Sequence, residues 1–315
     1  MEIDKAIQAW ANKRGYLYAT GSPSLLDDVR SSLQKRREAG EIDRNFFRDN
    51  LEIFTYLESV TLKDPQSVLI IAVPRPAHIL TFSLGNRKIE TILPPTYVRY
   101  RKIFEEVRDD LAAAVSGSDC HLEILSAPLK ALGNRLGLLS YGRNNVGYIE
   151  GIGSYLQLVG LVADKRLEGK GATTPPELLL PRCKVCRICA KACPTGAIDK
   201  ERILLHAEKC YTLFSESPEP IPKGLKPPSP KCLIGCLRCQ QVCPENKGLL
   251  RYEEAAVSFD AEETGAFLGL AGVPAQTTDR TQAKLSKLGL TEGFPIFARN
   301  LQRLFQVWRF SVPGK

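Results

Sequence analysis

CKVCRICAKACP, residues 183–194, sets Cys183, Cys186, Cys189 and Cys193 in one short run that closes on Pro194. A second run, CLRCQQVCP over residues 236–244, repeats most of it with Cys236, Cys239, Cys243 and Pro244. One tight loop can aim three cysteines spaced in this way at a single cubane, and the cysteine before the proline then reaches across to a second one. Thiolates suit soft iron, whereas zinc ribbons use separated CxxC pairs. The spacing predicts two [4Fe–4S] clusters, and with them single-electron chemistry.

The second run is irregular. Cys232 precedes Leu233, Ile234 and Gly235, one place out of the register that a simple repeat would have. Cluster one takes Cys183, Cys186, Cys189 and Cys243. Cluster two takes Cys193, Cys236 and Cys239, and its fourth thiolate is either Cys232 or the more distant Cys210; spacing leaves both open. Cys120 stands far upstream and reads as a buried free thiol.

At 315 residues the chain has room for about two domains. Its charged share of 25% and apolar share of 43% are ordinary for a soluble globular protein. Cysteines committed to clusters need reducing conditions at assembly, so a cytoplasmic location is expected. The opening MEIDKAIQAWANKRGYLYATG has no signal-type apolar core, and apolar stretches such as residues 67–73 are too short to span a bilayer. The net charge of +8 could serve an anionic partner such as RNA. The cations are dispersed, however, and Lys184, Arg187, Lys191, Lys231 and Arg238 lie beside cluster ligands. There they offset the negative charge of thiolate-bound iron and raise its potential. A nucleic-acid partner is therefore not expected, nor a membrane.

The cysteines divide the chain into an α/β cofactor and substrate domain (1–175), a ferredoxin-type double-cluster domain (176–250) and a helical C-terminal segment (251–315) that packs back on the core. In the first, Ile3, Ile7, Trp10 and Ala11 form a helical stripe, and residues 24–37 a second helix. Residues 67–73, stopped by Pro74 and Pro76, read as a buried strand. Residues 78–83 and 87–93 flank Leu84, Gly85 and Asn86 as a hairpin. Residues 97–115 form an amphipathic helix on Tyr100, Ile103, Phe104, Val107 and Leu111. Residues 120–125, 147–152 and 155–163 read as strands, and 128–136 as a helix with Gly137 near its C-cap. A linker at 169–176 leads to the cluster domain, whose proline-rich insertion at 215–230 wraps cluster two. Residues 283–290 and 297–308 are the best helical segments of the last part.

The segment LGNRLGLLSYGRNN, residues 132–145, resembles the glycine segment of epoxyqueuosine reductases, a family to which the reductive dehalogenases are related. Gly137, Leu138, Gly142 and Asn144 match, with Arg143 in the place of that family's lysine. DPQSV at 64–68, KCYTL at 209–213 and IGC at 234–236, then Cys239, Gln240, Val242, Cys243, Pro244 and Asn246, extend the likeness over most of the chain. The resemblance implies an α+β protein: a nitroreductase-like α/β core that binds cobalamin, then a ferredoxin-like two-[4Fe–4S] domain that feeds it electrons, then a C-terminal helical segment. It implies Cys210 as the fourth ligand of cluster two. It also implies corrinoid contacts from Gly137, Tyr141, Gly142, Arg143 and Asn144, where glycines admit a large flat ligand. The other reading of this segment is a plain helix C-cap and turn.

The departures matter as much. Ser126, Ala127 and Pro128 match a family run whose leading aspartate donates a proton, and Leu125 stands at that place. A leucine transfers no proton. The family's tyrosine- and arginine-rich substrate segment also lacks a counterpart; His78, the hairpin and residues 94–100 occupy its position. Epoxyqueuosine in tRNA is therefore not the expected substrate. Replacement proton donors are Tyr97, Tyr100, Tyr141 or His78, while His121 and His206 read as ordinary hydrogen-bonded histidines. The expected function is an iron–sulfur, cobalamin-dependent reductase of a small or unknown substrate, served by a low-potential donor of the ferredoxin or flavodoxin type. The alternative is an electron-transfer protein that reduces a partner's corrinoid or another redox enzyme; a flavin in the core is a third option.

Overall fold

The computed structural model describes residues 2–168, 179–200, 202–228, 231–270 and 278–311. Its helices are α1 (Glu2–Arg14), α2 (Leu25–Glu38), α3 (Arg44–Asn50), α4 (Tyr100–Ala114), α5 (Leu129–Arg135), α6 (Ile188–Ala192), α7 (Tyr211–Glu216), α8 (Arg238–Gln241), α9 (Ala261–Leu268), α10 (Asp279–Leu288) and α11 (Phe294–Ser311). Its strands are β1 (Leu17–Gly21), β2 (Ser67–Pro74), β3 (Ala77–Leu84), β4 (Arg87–Leu93), β5 (Leu122–Ile124), β6 (Ser140–Tyr141), β7 (Gly147–Tyr148), β8 (Leu156–Ala163) and β9 (Tyr252–Glu254). They fall into two units: residues 1–74, 101–191 and 198–208 in one, and 75–100, 192–197 and 209–315 in the other. The linker read at 169–176 lies outside the described residues, as do residues 229 and 230 of the proline-rich insertion.

The first unit is built on an antiparallel sheet in the order β1-β2-β8-β5. Along β2, Val68, Ile70 and Ala72 enter one apolar core with residues of α2 and α5, while Leu69, Ile71 and Val73 enter a second with residues of α1 and α4. Side chains alternate between the faces of a strand, so covering both faces demands an uninterrupted apolar run. The α1 stripe of Ile7, Trp10 and Ala11 and the α4 stripe of Ile103, Val107 and Leu111 fill the second core, as their spacing predicts. Trp10 Nε1 donates to Asp110 Oδ2 at 2.6 Å, which satisfies the polar atom that a buried indole carries. On β8, a Cβ at Gly160 would sit 2.4 Å from Leu129 Cδ2, so glycine lets α5 lie close to the sheet. Residues 147–152 pair as a strand only over β7, with β6.

The second unit carries the β3–β4 hairpin, joined in parallel by β9 in the order β4-β3-β9. Gly85 turns the hairpin at φ +57°, as read from the sequence. Phe82 stacks on Phe259 at 5.1 Å and meets Phe267 edge-on at 5.5 Å, and this aromatic core continues through Leu285, Phe297 and Leu301 of α10 and α11. The hairpin thus packs with residues 251–315. Its apolar face needs partners, and the C-terminal helices supply them. Asp260 and Glu263 close a capping box on α9, and the buried Glu263 also pairs with Lys284 at 2.5 Å. No helix among the described residues is long and apolar enough to cross a membrane.

Candidate functional site

Cys193, Cys210, Cys236 and Cys239 all belong to the second unit. Cys210 opens α7 in extended backbone (φ −66°, ψ 128°). Cys236 is set by the left-handed pair around it, Gly235 at φ +70° and Leu237 at φ +57°, and Cys239 rides on α8. Burial pushes the Cys210 thiol up, and a charge on Cys193 raises it further. Burial likewise pushes the Cys236 thiol up to about 11, with Cys210 and Cys193 adding to the rise. Half-buried sulfurs that raise one another's pKa resist ionising together, and an iron cluster would remove that penalty by binding them as thiolates.

Cys232 is placed differently. It is only 6% exposed and bridges Ile92 of β4, with Ile92 N–H donating to Lys231 O at 2.6 Å and Leu233 N–H to Ile92 O at 3.0 Å. Its Sγ donates to Ile234 O at 3.0 Å. Burial pushes this thiol far up.

The α7 helix beginning at Cys210 is tied down from far along the chain. Arg299 of α11 donates to the carbonyls of Phe214 (3.1 Å), Ser215 (3.2 Å), Ser217 (2.7 Å) and Glu219 (2.5 Å), and Asn300 Nδ2 donates to Ser215 O at 2.9 Å. The Phe214 and Ser215 carbonyls are among those that the end of α7 leaves unsatisfied. Ser215 Oγ in turn accepts from the N–H of Gly235 at 2.8 Å, which links the Cys210 and Cys236 loops. Tyr97 lies over Gly235 and donates its hydroxyl to Glu216. Burial first, then Glu216, holds the Tyr97 phenol well above its usual range. Tyr97 is thus a neutral prop beside cysteine loops. Tyr100 is exposed. His78 Nδ1 is buried and meets no hydrogen-bond partner among the described residues. Burial lowers the His78 pKa, with the Arg75 charge adding to the fall.

In the first unit, Cys183 and Cys189 are buried on a short 3-10 turn (Pro181–Lys184) and on α6, with Cys186 half-buried between them. Arg143 is 6% exposed and grips this loop: Nη2 donates to Cys183 O at 2.8 Å and Nη1 to Lys200 O at 2.9 Å. Arg187 Nη1 adds bonds to the carbonyls of Cys183 (3.2 Å), Lys184 (3.2 Å) and Cys186 (3.1 Å). Asn144 Nδ2 is buried against Tyr148 OH at 2.9 Å. A Cβ on Gly142 would fall 2.5 Å from both Asn144 Oδ1 and Tyr148 Cε2. Gly137 ends α5 at φ +72°, with Leu138 N–H returning to Gly133 O at 2.9 Å. The glycine segment is therefore a helix C-cap followed by the β6–β7 turn, and its Arg143 and Asn144 face protein. Tyr141 remains half-buried, its phenol pushed up to about 12 by burial.

Arg143→Ala should leave the Cys183 and Lys200 carbonyls buried without donors, costing roughly 2–4 kcal/mol. Arg143→Lys keeps the charge but not the fork, and should recover only part. Urea denaturation with iron analysis checks both.

His121 pairs with Asp164 at 2.8 Å and His206 with Glu208 at 3.2 Å, as ordinary hydrogen-bonded histidines do. Cys120 is half-buried rather than buried, its thiol pushed up to about 11 by burial. Among the residues not foreseen, Arg299, Asn300, Ser215 and Glu216 act across some eighty residues or more of sequence, and no short motif announces them.

Residues 182–246 match the family described as the 4Fe-4S double cluster binding domain. The chain is 29% identical over 156 residues to the epoxyqueuosine reductase of Staphylococcus aureus (strain NCTC 8325 / PS 47), covering 48% of this chain and 39% of that protein. It is 25% identical over 264 residues to the epoxyqueuosine reductase of Pseudomonas aeruginosa, covering 78% and 69%. The chain is thus similar to epoxyqueuosine reductases. The solved epoxyqueuosine reductase from Streptococcus thermophilus shares its fold, with a TM-score of 0.67 at 19% identity over 95% of this chain and 80% of that one.

Proposed function

We propose that this protein is a reductase in which two [4Fe–4S] clusters serve a bound cobalamin. The observation that carries the reading is the match of residues 182–246 to a double-cluster domain, within which the half-buried Cys193 raises the thiols of Cys210 and Cys236. Cys193, Cys210, Cys236 and Cys239 would hold cluster two; Cys183, Cys186, Cys189 and Cys243 would hold cluster one. The clusters supply single electrons, and cobalamin the low-valent cobalt that reduces a C–O or C–halogen bond.

The first unit offers chemistry that suits a corrinoid. An open cavity of about 590 Å³ is lined by Asp28, Ser31, Ser32, Lys35, Arg36, Ala39, Glu41 and Arg135, three cations beside two carboxylates. Arg36 and Arg135 are near enough to Tyr141 to favour its ionised form, although burial outweighs them. Cations and hydroxyls fit the phosphate and amide rim of the cofactor, and Gly137 and Tyr141 would contact it. Arg143 and Asn144 would then act behind the surface, holding the turn and the Cys183 loop. With its phenol raised to about 12, Tyr141 keeps its proton at neutral pH and is the donor we assign. The substrate we assign is a small molecule rather than epoxyqueuosine in tRNA, because Leu125 is packed in the core.

That same packing favours a second reading, an electron-transfer protein with no bond-breaking site of its own. Anaerobic titration of the reconstituted protein with cob(II)alamin separates the two. Saturable binding with a base-off spectrum is expected; no binding with both clusters intact leaves the electron carrier.

A further inference from the structure

We propose that the loop bearing Cys183, Cys186 and Cys189 doubles as the docking surface for an acidic one-electron carrier protein, so that electrons enter at cluster one. The inference rests on the double-cluster reading above and adds the place and the chemistry of the partner. Val185 is 84% exposed, more than any other large apolar side chain among the described residues, and Ile188 is 45% exposed. These two flank Cys186, itself half-buried, while the neighbouring Cys183 and Cys189 are covered.

Arg182, Lys184 and Lys191 stand exposed around that apolar pair, and the run from 182 to 191 contains no carboxylate. Arg187 is not part of this rim, because its guanidinium is turned onto the carbonyls of Cys183, Lys184 and Cys186. An apolar centre inside a charged rim of one sign is the anatomy of a transient protein interface. The rim steers an oppositely charged partner and the centre gains when water leaves it. An RNA partner fits less well. Its phosphates would gain nothing from covering Val185, and the loop from 182 to 191 holds no aromatic ring on which a base could stack. One electron passes in the step: the carrier is oxidised by one, the cluster is reduced by one, and no bond or proton changes place.

The test is stopped-flow reduction of the reconstituted holoprotein, with a reduced acidic [2Fe–2S] ferredoxin as the probe and reduced methyl viologen as the small-molecule comparison. For wild type, the ferredoxin rate constant should fall steeply with added salt. The neutral double variant Val185→Ser/Ile188→Ser should lose roughly tenfold with ferredoxin and nothing with viologen. A salt-independent ferredoxin rate, or a double variant as fast as wild type, overturns the proposal. So does an RNA stem-loop that protects the patch from labelling while ferredoxin does not. A protein that takes up no cluster overturns the double-cluster reading and this surface with it, whereas a loaded protein indifferent to salt overturns the surface alone.

Discussion

Cys210→Ala should abolish one of the two cubanes, with loss of about half the bound iron, whereas Cys232→Ala should keep both. The two cysteines look equivalent by spacing, yet the fold gives them different tasks. Cys210 opens α7, and its thiol feels Cys193 and is felt by Cys236. Cys232 sits in a backbone bridge to Ile92 with its Sγ turned to the Ile234 carbonyl. To serve as a ligand it would have to leave that bridge and give up the hydrogen bond. Losing a small buried thiol costs about 1 kcal/mol and no iron. Iron and sulfide analysis with electron paramagnetic resonance of the reduced variants checks the pair. Intact clusters in Cys210→Ala beside a lost one in Cys232→Ala would reverse the assignment.

Leu125→Asp should destabilise the first unit by roughly 3–5 kcal/mol at neutral pH, without creating a proton donor. Leu125 is 2% exposed, shares a core with Val68, Ile70 and Leu132, and donates its N–H to Gly160 O at 2.9 Å. An aspartate there would be a carboxylate in an apolar core. Its pKa would rise above the unfolded value, so the folded state would bind the extra proton. The stability deficit would therefore be greatest above that raised pKa and shrink as pH falls through it. Urea denaturation at neutral and acidic pH measures both the size and the sign. A variant as stable as wild type that reduces epoxyqueuosine would show that this position faces the site after all. Since typical domains hold only about 5–15 kcal/mol in total, the expected loss is large. The leucine is thus more than an absent acid: position 125 belongs to the packing of the sheet.

Much of this was legible in the sequence because it is local. The cysteine runs, the apolar β2, the α1 and α4 stripes and the Gly85 turn each declare themselves within a dozen residues or so. What escaped is long-range or carries no pattern. β9 is three exposed residues, Tyr252, Glu253 and Glu254, with no alternation to mark a strand. Its pairing with β3 adds to the Phe82–Phe259 and Phe82–Phe267 contacts that join the hairpin to the C-terminal segment. Arg143 is a corrinoid contact only through the family resemblance of its glycine segment. Its inward direction is fixed by the Cys183 and Lys200 carbonyls, some forty residues or more away. Arg299 is one arginine in an amphipathic helix until the carbonyls at the end of α7 are in place beside it.

Under the proposed function, the thiolate-bound clusters and a corrinoid would share one electron path in this chain. The most direct measurement is electron paramagnetic resonance of the protein loaded with iron, sulfide and cob(II)alamin, taken through a stepwise anaerobic reduction. Two cluster signals are expected together with a base-off cobalt signal that disappears only in samples whose clusters are intact, and that persists in Cys210→Ala. Two cluster signals beside the spectrum of free cobalamin would contradict it.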